Sequence, residues 1–286
     1  MKRLQATSFY TPQQFGFFRI LFGLYLSWHF ASLIPYGVEL FSDQGILGDN
    51  SINPLAQAWL NPFFIKGSST WVTAWLIIAV LGSVLVMLGR IRRLSCLFLW
   101  YTWTCLFTAN PLIANPSLAY IGLLLVLCTL IPHGECYILK LPNEHSKKST
   151  NWKMPAMVCF TAWTLMSVGY TFSGVMKLFS PSWIDGSALQ HLMYNPLARP
   201  GLFRDLMLIL PESLTKCMTW SVLALEIAFV PLVIFRKTRP WVWLSMLLMH
   251  FGIMATVDFA DLSLGMVMIH LFTFQSSWVK KTYTKA

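Results

Sequence analysis

Few side chains in this sequence could move a proton within an apolar environment, and Lys177 narrows the chemistry most. It closes a long apolar run in Phe172-Ser173-Gly174-Val175-Met176-Lys177-Leu178, seven residues before Ile184-Asp185-Gly186. A lysine at such a place is either an anchor that snorkels to the interface or an amine on an interior helix face. The small or polar neighbours Tyr170, Ser173 and Gly174 favour the interior face, because Gly and Ser let a second helix approach closely. Burial would disfavour the charge and leave the amine able to act as a general base. Glu226 lies near the middle of another apolar run, where a carboxylate must be protonated or paired with a cation. His250 precedes Asp258 by eight residues, about 12 Å of helix. His29 and Arg19 lie in the first apolar run, and His270, in the last run at Arg19's depth, is a candidate neighbour of that arginine. For Arg19, His29, Glu226 and His250 a structural hydrogen bond or ion pair is an alternative to a functional role.

The elements that must position these groups are long apolar runs near the membrane-spanning length, at roughly 14–34, 71–89, 94–110, 117–132, 155–178, 217–235, 240–257 and 261–275. They predict an all-α, polytopic helical membrane bundle of about eight transmembrane helices, organised as one transmembrane domain. Residues 133–154 read as a cytoplasmic linker. Two longer segments, about 35–70 and 179–215, mix Pro, Gly, Asn and acidic residues with Trp59, Phe63, Trp71, Trp183 and Leu202. That mixture predicts interfacial segments capping the bundle on its outer side.

Composition agrees: of 286 residues 56% are hydrophobic and only 11% charged. The net charge of +10 would suggest nucleic acid in a soluble protein. Its distribution argues otherwise. With the N-terminus in the cytoplasm, 15 of the 21 Lys and Arg fall inside. The outer segments carry Glu39, Asp43, Asp185, Asp205, Glu212 and Asp258 among their charges. This is the positive-inside bias with both termini cytoplasmic, and no nucleic-acid partner is expected. The first run contains Arg19 and His29 and lacks a small-residue cleavage site, so it reads as a retained span rather than a signal peptide. The six cysteines form no CxxC pair, which argues against a zinc site or a disulfide framework. A Walker loop, a dinucleotide fingerprint, GxSxG and HExxH are all absent, leaving ATP-driven work, hydride transfer and zinc hydrolysis without support.

Several motifs together resemble the vitamin K-dependent gamma-carboxylase-like family, also called the horizontally transferred transmembrane (HTTM) domain. Phe18-Arg19-Ile20-Leu21-Phe22-Gly23 is similar to the family's opening Phe-Arg-x-x-x-Gly helix, and Met87-Leu88-Gly89 with Arg92-Arg93-Leu94 to its second-to-third helix turn. Ser173-Gly174-Val175-Met176-Lys177-Leu178 with Trp183-Ile184-Asp185-Gly186 is similar to the family's Ala-Gly-x-x-Lys-Leu and Trp-x-x-Gly pair. Met249-His250-Phe251 resembles its later membrane histidine. The resemblance implies that Lys177 is a base acting on a reduced, vitamin K-like quinone at an outward-facing pocket. His250 and Glu226 would assist it, and Tyr170, Trp183 and His29 are candidates for binding the cofactor. It also implies a carboxylase-like, lyase-type enzyme. At the place of a family histidine that follows Asn, however, this chain has Pro116 after Asn115, and the spacing from Lys177 to Trp183 is one residue longer, with Pro181 between them.

Two expectations follow. One is a lipid-quinol-dependent enzyme with Lys177 as base. The other is a non-catalytic membrane subunit that helps mature or export a secreted peptide. In either case the partners are the lipid bilayer and a secreted peptide or a membrane subunit, and the small single-domain form points to a bacterial inner membrane.

Overall fold

The computed structural model describes residues 10–49, 53, 60–135 and 152–280. Most of the expected linker, as well as Trp59 and Cys136, lies outside the described residues. All regular structure among the described residues is helical, apart from one isolated antiparallel bridge between Ala198 and Val257. The chain divides into two compact units, Met1–Cys159 and Phe160–Ala286.

The first unit contains α1 (Pro12–Leu33), α2 (Gly37–Phe41), α3 (Pro62–Ile65), α4 (Ser69–Leu88), α5 (Arg92–Ala109) and α6 (Leu118–Leu130). Thr11 starts α1, its hydroxyl accepting from the amide of Gln14, with Pro12 at the first position, where a missing N–H costs nothing. Helices α1 and α4 pack so closely that a Cβ on Gly23 would fall 2.6 Å from Cβ of Met87. That contact explains why the opening motif needs a glycine. Helix α4 ends at Gly89, whose φ of 72° is the left-handed conformation that favours glycine. Of the described helices, α4 is the one both long and apolar enough to cross a membrane.

Arg19 and Arg92 are both fully buried in this unit. Arg19 donates to the carbonyls of Val86 and Met87 at the C-terminal end of α4, where partial negative charge collects. Arg92 does the same at the end of α6, donating to Cys128, to Ile131 at 2.9 Å and to Pro132 at 3.1 Å. Glu135 receives Nε of Arg92 at 3.0 Å and lies 3.6 Å from Nε of Arg19. The motif arginines are thus fasteners for helix ends within their own unit.

The second unit begins within α7 (Ala156–Lys177) and continues through α8 (Pro181–Ile184), α9 (Ala188–Tyr194), α10 (Leu202–Ile209), α11 (Glu212–Ile227), α12 (Phe229–Ile234), α13 (Arg239–Thr256), α14 (Ala260–Thr273) and α15 (Ser277–Lys280). Helices occupy all eight apolar runs, but the sixth run is not one helix. It breaks at Ala228 into α11 and α12. Pro231 causes the break, since it has no N–H for the carbonyl of Ile227 four residues earlier and its ring crowds that carbonyl. Thr171 of α7 fills the gap. Its hydroxyl lies 3.2 Å from the carbonyl of Glu226 and 3.4 Å from that of Ile227, and it accepts from the amide of Val230 at 3.1 Å. One side chain therefore satisfies backbone groups that an apolar environment would otherwise leave unpaired.

Candidate functional site

The break in the sixth run fixes where Glu226 points. Gly174 lies one turn beyond Thr171 on α7, and a Cβ there would sit 2.7 Å from the amide nitrogen of Ile227 and 2.9 Å from Cβ of Glu226. The two backbones are in near contact at this level. One turn further, at the end of α7, Lys177 meets the Glu226 carboxylate with Nζ 2.6 Å from both Oε1 and Oε2. The Lys177 side chain is 22% exposed and that of Glu226 only 5%. Neither group was recognisable as the other's partner from sequence, because 49 residues separate them and each stands alone in its own run.

Trp183 completes the outer side of the pair. After Lys177 the chain turns through Leu178–Ser180 and re-enters a short helix with Pro181 at its first position. The indole ring comes to 4.3 Å from Nζ, a cation–π distance. The turn that holds this ring is itself fastened to α11: Nε1 of Trp220 donates to the carbonyl of Ile184 at 3.1 Å. Gly186 follows with φ of 85°, and a Cβ there would strike Lys216 and Trp220. Both reasons demand glycine. Asp185 accepts the amide and hydroxyl of Ser187 at 2.8 and 2.6 Å, and these bonds hold its carboxyl below the usual range.

Two turns deeper on the same face of α7, Tyr170 is buried with its hydroxyl 2.7 Å from Nε2 of His250. Its ring packs 4.8 Å from Phe229, 5.9 Å from His250 and 5.8 Å from His270. His270 thereby joins His250 and Tyr170, an association that the sequence did not suggest. The structure assembles five of the expected site residues in one unit, in two groups: Lys177 with Glu226 and Trp183, and Tyr170 with His250. His29 belongs to the other unit, where it packs against Trp103 at 4.5 Å and Phe30 at 5.3 Å. Asn115, Pro116 and Ser117 form the turn entering α6, the Asn115 side chain accepting the amide and hydroxyl of Ser117 at 2.9 and 2.6 Å. The described residues contain no group of three or more His, Cys, Asp or Glu able to hold a metal ion.

The HTTM domain family model matches residues 10–278, which takes in both units and every residue of the site. No solved structure matches the chain. The match covers nearly the whole chain and includes the glycine, lysine and tryptophan whose geometry has just been described, so the chain belongs to the HTTM domain family, related to the vitamin K-dependent carboxylase.

Proposed function

We propose that this chain is a multi-pass protein of the bacterial inner membrane, with eight spans of which the sixth is the broken pair α11–α12, and that the Lys177–Glu226 pair moves a proton at its outer end. The observation that carries the reading is the two-oxygen contact between a partly exposed amine and a buried carboxylate beneath an aromatic ring. The distribution of Lys and Arg supports the orientation.

Shifting one proton from Nζ to Glu226 leaves a neutral amine and a neutral acid, with no net change of charge in a region where charge is costly. That amine can then take a proton from a weakly acidic hydroxyl. Glu226 is therefore the proton store of the pair, and Trp183 screens the ammonium from water on the other side. Around them Met176, Phe179 and Ile184 are exposed apolar side chains, suited to a ligand arriving through lipid. This donor set fits a reduced quinone of the vitamin K type, with Lys177 and Glu226 toward its hydroxyl and Trp183 toward its ring. When bound, a quinol supplies an acidic hydroxyl whose anion is readily oxidised. Proton transfer is the step these residues supply, since Pro116 occupies the place of the family histidine in a helix-entry turn.

The second reading, a non-catalytic subunit for a secreted peptide, is favoured by the same contact read as a fastener between α7 and α11. Full-length protein in lipid nanodiscs, given 2-methyl-1,4-naphthohydroquinone with a short prenyl tail, separates the two. Binding by the wild type and aerobic oxidation of the quinol that falls at least tenfold in Lys177→Arg support the base, since arginine keeps the charge but cannot act as a neutral amine. No binding, or an Arg variant as active as wild type, would leave the subunit reading. Cysteine labelling at positions 66 and 90 from each side of the membrane tests the orientation, with Lys66 expected outside and Arg90 inside.

A further inference from the structure

His250 and His270 are both more than nine-tenths buried, and each has one ring nitrogen without a hydrogen-bond partner among the described residues. For His250 this is Nδ1 and for His270 it is Nε2. Their rings lie 5.9 Å apart at 62°, and Tyr170 stands at nearly the same distance from both. Unsatisfied polar atoms are costly in an apolar interior, so two of them on adjacent rings call for a common explanation.

The protonation pattern supplies it. Nδ1 of His270 lies 2.9 Å from the carbonyl of Met266. A carbonyl only accepts, so Nδ1 carries the proton and Nε2 is a bare acceptor. The Trp243 indole, donating at 3.2 Å to the carbonyl of His270, helps fix that helix turn. For His250 the partner of Nε2 is the Tyr170 hydroxyl at 2.7 Å. A phenol is a stronger acid than a neutral imidazole N–H, so the phenol donates and Nδ1 of His250 keeps its hydrogen. The pair thus presents one donor and one acceptor.

We propose that His250 and His270 form a buried site for a single hydroxyl group, which accepts from Nδ1 of His250 and donates to Nε2 of His270. A hydroxyl is the smallest group that does both at one oxygen; a cation would meet the His250 hydrogen, and an anion would meet the His270 lone pair. The hydroxyl belongs to a water molecule or to an alcohol or phenol of a ligand, and in either case Tyr170 acts as a positioning residue that sets the His250 tautomer. The site stands independently of the Lys177 proposal, because it uses neither the amine nor Glu226.

The test is solid-state NMR of full-length protein labelled with 15N-histidine in lipid nanodiscs, first without additions and then during titration with phenol. Both histidines are expected as the Nδ1–H tautomer, with the His270 Nε2 signal displaced in the direction of an accepted hydrogen bond. Displacement before phenol is added identifies water, and displacement only on saturation with phenol identifies a ligand hydroxyl. Tyr170→Phe should release His250 into a mixture of tautomers. Single His250→Phe and His270→Phe variants assign the signals among the six histidines, and His250→Asn and His270→Asn serve where phenylalanine does not fold. A His250 Nε2–H tautomer, a His270 Nε2 signal of an unbonded nitrogen both with and without phenol, or an unchanged His250 tautomer in Tyr170→Phe would overturn the proposal.

Discussion

Removing either partner of the Lys177–Glu226 pair should cost stability unequally, and the inequality follows from burial. With Nζ 2.6 Å from both oxygens, the Coulomb attraction is about 6 kcal/mol at an effective dielectric constant of about 20. Taking the two charges out of water offsets several kcal/mol of this. Lys177→Met leaves a carboxylate that is only 5% exposed, with no cation in its place, and should cost about 3–5 kcal/mol. Glu226→Gln leaves an ammonium that is 22% exposed, still lies over Trp183 and can turn toward water, so its cost should be about 1–2 kcal/mol. In the double variant no unpaired charge remains, and the loss should fall below the sum of the single losses by about 2 kcal/mol or more. Equilibrium unfolding in mixed dodecylmaltoside and SDS micelles measures all four proteins. Strictly additive costs would refute the claim that the two groups share one electrostatic contact, and equal single costs would refute the argument from their unequal burial.

Three further outcomes follow from the packing. Gly174→Leu should cost about 3 kcal/mol or more, because its Cβ alone would lie 2.7 Å from the Ile227 amide and backbone cannot yield as a side chain would; a detergent thermal melt reads the loss. Thr171→Val should cost about 1–3 kcal/mol by unpairing the groups at the α11–α12 break, while Thr171→Ser keeps the hydroxyl and restores most of it, as measured by the same unfolding assay. Glu135→Gln, which leaves Arg19 and Arg92 buried without a carboxylate between them, should cost about 3–5 kcal/mol and loosen the first unit, visible as faster amide exchange at the C-terminal ends of α4 and α6.

The positions of the helices were legible in the sequence because they depend on local quantities. An apolar run long enough to form a helix is read from neighbours within a few turns of the chain, whereas the starts at Pro12 and Pro181 and the end at Gly89 were read only from the structure. The Lys177 motif was legible for the same reason, as was the need for a small residue at Gly174. Pro231 was also visible, but the break it causes within the sixth apolar run was missed, since an apolar run carries no mark of where its hydrogen-bond ladder stops. Nor could sequence assign partners. Glu226 required a cation or a proton, and the packing of α7 on α11 at Gly174 brought Lys177 to it.

By itself, then, the sequence determined an all-helical chain of the HTTM family and singled out the side chains whose burial would be costly, because burial cost is a property of each residue type. Tertiary structure alone decided how those costs are met. Arg19 is met by carbonyls and Glu135, Glu226 by Lys177, and the open backbone at Ala228 by Thr171, while His250 and His270 share a cluster with Tyr170. Hydrogen bonds and ion pairs act over about 3 Å, and only the folded chain brings groups tens of residues apart to that distance.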